Sequence, residues 1–227
     1  MKQYKVHTMV VGPIATNCYI IETDETYPSE TRRGCFIIDP GEGASAIIAR
    51  LTKLNLVPQS ILCTHGHFDH VLAIPELVRF YDEQNIQIDI AIHRLDQDYL
   101  GHKAIPRHRR DLAGVGGLSF IERFPQQFPE ASRIVEDGDR IGPFMVLHLP
   151  GHTPGSVGYY DEQRGLLFAG DTLFAGGVGR TDLPGGDELA LRTSLRRLFA
   201  LDGSTRVYCG HGRETKIEQE RPRQGLL

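Results

Sequence analysis

The chain is 227 residues long, with 40% hydrophobic content, a net charge of −4 and four cysteines. That is core material for a single α/β domain over 1–227, and the slight acidity offers no electrostatic footprint for nucleic acid. No apolar run reaches the length of a membrane span and none near the N-terminus suits a signal peptide, so a cytoplasmic protein with free, buried thiols at Cys18, Cys35, Cys63 and Cys209 is expected.

Residues 4–11 and 17–22 are strand-like, 25–33 is a polar loop around Pro28, and Cys35, Phe36, Ile37 and Ile38 form an apolar strand that closes at Asp39-Pro40-Gly41. Asp39 is either a support for a neighbouring ligand loop or an ordinary turn residue. The periodicity predicts a helix over 44–56, with Ile47, Ile48, Leu51 and Leu54 on one face. A buried strand over 60–64 runs into His65-Gly66-His67-Phe68-Asp69-His70, and a helical pattern continues from Val71 to Tyr81. Three imidazoles and a carboxylate in six positions, at a strand-to-helix turn, are the residue types and the place for binding borderline divalent metals. Cys63 and Cys209 each precede such a residue by two positions and are read as small core side chains.

Residues 86–92 are a further strand and 94–100 a helix. Lys103, Arg107, His108, Arg109 and Arg110 are basic, and Phe120, Phe124 and Phe128 follow around Pro125. This segment is expected to face solvent or another chain, the alternative being a lid for an anionic substrate. After the Asp137-Gly138-Asp139 turn, residues 144–149 form a strand holding His148, and a Gly/Pro-rich loop exposes His152. A hairpin pair over 157–160 and 165–168 ends at Asp171. An amphipathic helix spans 187–200, and the strand 206–209 ends at His211. His65, His67, Asp69, His70, His152, Asp171 and His211 thus follow apolar strands that end in abrupt turns. Seven such residues exceed the four of a structural zinc and suit two metals sharing a carboxylate, with coordination positions left open.

His65-Gly66-His67-Phe68-Asp69-His70, Gly151-His152, Gly170-Asp171 and Gly210-His211-Gly212 resemble the metallo-β-lactamase superfamily. The Asp39-Pro40-Gly41 turn, the 150–155 loop, Gly177-Val178-Gly179-Arg180-Thr181-Asp182 and the 210–215 stretch are similar to the short glyoxalase II-like hydrolases. The resemblance implies a four-layer αββα sandwich of two mixed β-sheets flanked by helices. It implies a first metal on His65, His67 and His152, a second on Asp69, His70 and His211, and Asp171 between them. Asp69 and Asp171 would be the catalytic carboxylates. The cofactors would be two divalent ions, zinc first, with iron or manganese as alternatives. The reaction would be hydrolysis of a small-molecule thioester such as S-lactoylglutathione by metal-activated water, with Arg180 binding substrate. No separate C-terminal glutathione-binding helical domain is expected, and the 221–227 tail departs from the family's ending. A persulfide dioxygenase with one iron on His65, His152 and Asp171 is the main rival. A lactonase or β-lactamase and a non-catalytic metal-binding protein are the remaining readings.

Overall fold

The computed structural model describes residues 5–26, 32–113, 116–121 and 124–221. Most of the polar loop around Pro28 and of the 221–227 tail lies outside these residues, as does Gly114. The first sheet contains β1 (Val6–Val11), β2 (Thr16–Thr26), β3 (Arg33–Ile38), β4 (Leu56–Leu62), β5 (Asp89–His93) and β6 (Arg133–Val135), hydrogen-bonded in that order. Its first two pairings are antiparallel and its last three parallel. The second half of the chain supplies β7 (Arg140–Ile141), β8 (Phe144–His148), β9 (Val157–Asp161), β10 (Leu166–Gly170), a small hairpin of β11 (Leu173–Phe174) and β12 (Gly177–Val178), then β13 (Arg206–Cys209) and β14 (Thr215–Lys216). The second sheet runs β14-β13-β10-β9-β8-β7, with only β10 and β13 parallel.

The strands are buried on both faces, and their alternation assigns each face to a different layer. Cys18 and Ile20 of β2, with Cys35 and Ile37 of β3, pack with Ile47 and Leu51 of α1 (Ala44–Leu54). The intervening Tyr19, Ile21, Phe36 and Ile38 meet Phe144, Tyr159 and Phe168 of the second sheet. That inter-sheet layer is rich in aromatic edges, such as Tyr19 on Phe168 at 5.3 Å and Phe144 on Phe168 at 5.7 Å between centroids. Beyond α1, the chain forms α2 (Phe68–Val71), α3 (Ile74–Asp82), α4 (Ala104–Ala113), α5 (Leu118–Ile121), α6 (Glu188–Phe199) and α7 (Ile217–Glu220). α3 lies with α1 on the first sheet, and Leu191, Leu195 and Leu198 of α6 cover the second through Leu147, Leu167 and Val207. The layers are therefore helix, sheet, sheet, helix, as the αββα expectation has it. Among the described residues no helix is long and apolar enough to cross a membrane.

Three local readings need correction. The strand before the ligand loop begins at Leu56, two residues before Pro58. Its register with β3 slips by one at Gln59, a bulge that accommodates a proline without an N–H inside a parallel pair. The helix after the loop is two helices, because Pro75 in the first turn of α3 starts a new one. Residues 94–99 form a 3₁₀ segment rather than an α-helix.

Candidate metal centre

The seven ligand-type residues leave the C-terminal ends of β4, β8, β10 and β13, at one edge of the two sheets. His65 and His67 follow β4, Asp69 and His70 lie in α2, His152 sits in the β8–β9 loop, Asp171 follows β10, and His211 follows β13. Gly210 allows the last approach: a Cβ there would lie 1.9 Å from Asp171 Oδ1. Gly151, at φ 138°, lets the loop pass over the backbone of Leu191.

Two clusters form. His65, His67 and His152 offer ligand atoms within 4.8 Å of one another, and so do Asp69, His70 and His211. Asp171 joins them: its Oδ2 is 3.6 Å from His152 Nε2 and 3.4 Å from His211 Nε2, and its Oδ1 is 3.5 Å from His70 Nε2. Asp69 Oδ2 stands 3.3 Å from both His70 Nε2 and His211 Nε2. The Nε2 atoms of His65, His67 and His70 and Oδ1 of Asp171 are buried without a hydrogen-bond partner. Buried polar atoms left unpaired in such density are costly unless a ligand takes them, and nitrogen with carboxylate oxygen is the donor set of zinc, iron or manganese. The residues therefore fit a pair of divalent metals. Asp39 also groups with His65 and His70, but both of its oxygens are engaged by hydrogen bonds.

Those bonds show how the rings are aimed. His70 Nδ1–H donates to Asp39 Oδ2 at 3.0 Å, His152 Nδ1–H to the Arg180 carbonyl at 2.8 Å, and His211 Nδ1–H to the Ile14 carbonyl at 3.1 Å. His65 Nδ1 is 3.1 Å from the Thr64 hydroxyl. In all four rings Nε2 faces the cluster, that of His152 lying 2.9 Å from Nδ1 of His67, the arrangement that orients metal-binding imidazoles. Asp39 further accepts from the Thr64 N–H at 2.7 Å and the Thr64 hydroxyl at 2.6 Å. Of its two readings, support of the ligand loop is the one seen.

Other supports were not legible in the sequence. Buried Asp96 accepts from the Gly66 N–H, the Gly155 N–H and the Thr153 hydroxyl, tying the loop of His65 and His67 to that of His152. The Thr16 hydroxyl donates to Asp69 Oδ2 at 2.8 Å. The Asn17 amide donates to the carbonyls of Cys209 and Gly212, on either side of His211. Cys63 and Cys209 are fully buried beneath the site and burial raises both thiols, Cys209 to about 12. They are inert core side chains, as read. His148 stacks on His93 at 4.2 Å and contacts the Pro154 carbonyl, away from the cluster.

Burial and the neighbouring rings hold His65 well below the usual histidine range and bring His67 to about 3, so both are neutral. Burial works against charge on His70 and His211, yet Asp69 and Asp171 overcome it, raising His70 well above its ordinary value and His211 to about 10. Without metal these two imidazoles therefore keep a proton at neutral pH, and metal binding must release it. Apparent metal affinity is expected to rise with pH through neutrality and to level off only towards about 10. Calorimetric titration at pH 7.5 in buffers of different ionisation enthalpy is expected to show net proton release; none would contradict this charge state.

The metallo-beta-lactamase superfamily model matches residues 11–211. The chain belongs to this superfamily. It is 35% identical to the hydroxyacylglutathione hydrolase GloC of Haemophilus influenzae over 95% of this chain and 94% of that one. The crystal structure of TTHA1623 in a di-iron-bound form superposes with a TM-score of 0.81 at 38% identity, covering 98% and 100% of the two chains. That of BLEG-1, a B3 metallo-beta-lactamase, gives 0.78 at 34% identity, covering 96% and 97%. The superfamily is mostly hydrolytic, and this chain is a metal-dependent hydrolase with a His/Asp site.

As in other sites at a sheet edge, the superfamily centre opens into a cleft. Here it is a cavity of about 820 Å³ reaching from His67, Asp69, His152, Asp171 and His211 to α4, α5 and the β11–β12 hairpin. The basic segment is not simply a solvated face. Lys103, Arg109 and Arg110 are exposed, but His108 is buried against Tyr99, Phe124 and Phe128. Arg107 lies over the Tyr99 ring and donates to its hydroxyl at 2.7 Å, and that hydroxyl donates to Asp111 at 2.5 Å. Phe68 of α2 packs on Phe120 and Phe124. The segment caps the site, held by apolar contacts that its charges concealed. Arg180 also lines the cavity, and its guanidinium makes a bidentate pair with Asp182 at 2.6 and 2.7 Å.

Proposed function

We propose that the chain is a binuclear thioesterase of the glyoxalase II type, hydrolysing an acyl thioester such as S-lactoylglutathione. The observation that carries the binuclear reading is the Asp171 carboxylate, within 3.6 Å of a ring nitrogen from each three-residue cluster. The likeness to GloC, named as a hydroxyacylglutathione hydrolase, supports the thioester. His65, His67 and His152 would hold one ion, Asp69, His70 and His211 the other, with Asp171 shared. Bound there, such ions supply Lewis acidity and lower the pKa of water from about 15.7 to about 7.

The chain's own groups do the rest. Asp39 and the carbonyls of Arg180 and Ile14 fix the rings before substrate arrives, so no reorganisation is needed during reaction. Asp69, fixed by Thr16 and kept ionised by His70 and His211 despite burial, faces the cavity where it would hold its ion and accept a hydrogen bond from the attacking water. The α4–α5 cap shields the reacting carbonyl from bulk water. Purified protein with two metals per chain is expected to hydrolyse S-lactoylglutathione; loaded protein that leaves thioesters intact would refute the reading.

A second reading, β-lactam hydrolysis, is favoured by the likeness to BLEG-1. Faster turnover of a chromogenic cephalosporin than of any thioester would establish it. Arg180 is proposed to bind the substrate's carboxylate by exchanging its pair with Asp182. Arg180→Ala is then expected to raise KM for S-lactoylglutathione about tenfold, with kcat little changed. An unchanged KM would leave Arg180 only its pair with Asp182 and its carbonyl contact to His152.

A further inference from the structure

We propose that the cavity prefers substrates whose thiol arm is uncharged and apolar over glutathione conjugates; this rests on the thioesterase reading above. Away from the metal-binding side chains, the wall is apolar: Ile14, Leu112, Phe120, Phe174, Val178 and Leu183 line it. Ile14 and Phe120 remain 49% and 39% exposed at its mouth, and a substrate arm lying across them removes that surface from water. Arg180 is the only lysine or arginine among the described lining residues, so even with its Asp182 pair exchanged it answers only one of the two carboxylates of a glutathione arm.

The polar groups on the α4 side point to the same choice. Asp111 uses Oδ2 to accept from Tyr99 and Arg107. Its buried Oδ1 has no hydrogen-bond partner, only a 3.7 Å ion pair with Arg110. His108 is hydrogen-bonded to the Tyr99 backbone, which leaves its buried Nε2 without a partner. Both residues line the cavity. With Oδ1 and Nε2 both shielded from solvent beneath the wall and neither carrying a proton to give, this side supplies no donor to a carboxylate. A glutathione arm brings two carboxylates and an ammonium, whereas an N-acetylcysteamine arm keeps an amide and brings no charge.

Thioethers isolate this preference because they bind without turning over. Calorimetry on metal-loaded protein would compare S-hexyl-N-acetylcysteamine with S-hexylglutathione, which share an alkyl group and differ in the thiol arm. The uncharged ligand is expected to bind at least about tenfold more tightly. Ile14→Lys, which adds a cation at an exposed part of the wall, is expected to narrow that ratio at least about fivefold. Phe120→Ala is expected to weaken the uncharged ligand. Equal affinities, or tighter binding of S-hexylglutathione, would overturn the proposal. The expected preference without hydrolysis of any thioester would support it while removing the thioesterase reading alone.

Discussion

Replacing Asp171 with alanine is expected to reduce bound metal from two per chain to one or none, and to lower the thioester hydrolysis rate on the order of a thousandfold. The size of the effect follows from position. Among the described residues, Asp171 is the only carboxylate placed between the two clusters, with oxygens 3.4 to 3.6 Å from the ring nitrogens of His70, His152 and His211. Burial opposes its charge, but His70, His211 and His152 hold its carboxyl below the usual range, so it is ionised and ready to bind. Its removal would leave His70 and His211 with Asp69 as their remaining nearby anion inside the cluster. Metal analysis on the purified variant, beside its kinetics, is the check. A variant retaining two metals and full turnover would exclude Asp171 from the site.

The second large effect is expected at Asp39, which touches neither cavity nor substrate. Asp39→Ala removes the acceptor of three donors: the Thr64 N–H, the Thr64 hydroxyl and His70 Nδ1–H. All lie in the interior, where each unpaired group costs roughly 1–3 kcal/mol. The expected loss of stability is therefore about 3 kcal/mol or more, read by denaturant titration. Metal affinity should fall by about 10–100-fold because His70 loses its orientation. Asp39→Asn separates the two effects. It keeps the size and one acceptor oxygen, so it should recover much of the stability while the metal affinity stays low. An Asp39→Ala protein of unchanged stability and metal affinity would reduce Asp39 to an ordinary turn residue.

These two residues also mark how far the sequence could be read. The seven ligand-type side chains could be picked out because each follows an apolar strand and a Gly- or Pro-marked break, a local signal. Asp39 sat beside a turn and had two equal readings; only the approach of Thr64 and His70 decides between them. Asp96 gave no signal. It lies in a short polar 3₁₀ segment, and its partners are Gly66, Thr153 and Gly155, as many as 59 positions away. Thr16 and Asn17 act on Asp69 and on the His211 loop across the two sheets, at separations of 53 to 195 residues. The layers were legible only through the resemblance; the structure shows the alternation that builds them, with Cys18, Ile20, Cys35 and Ile37 on one face of β2 and β3 and Tyr19, Ile21, Phe36 and Ile38 on the other. The α4–α5 cap was not legible, because Arg109 and Arg110 mark its exposed face while His108, Asp111 and Phe124 are buried inside it. Pro58 misled as a strand boundary, since a bulge let the strand continue through it.

The central claim is that two metals on these seven side chains act together on a thioester. Its most direct test is to strip the protein with chelator, titrate zinc, iron(II) or manganese back, and follow S-lactoylglutathione and S-acyl-N-acetylcysteamine hydrolysis with oxygen uptake on glutathione persulfide alongside. Hydrolysis that climbs until two equivalents are bound, without oxygen consumption, is the expected result. Full activity at one equivalent, or oxygen consumption by a single bound iron, would contradict the binuclear hydrolase and leave Asp69, His70 and His211 without a catalytic part.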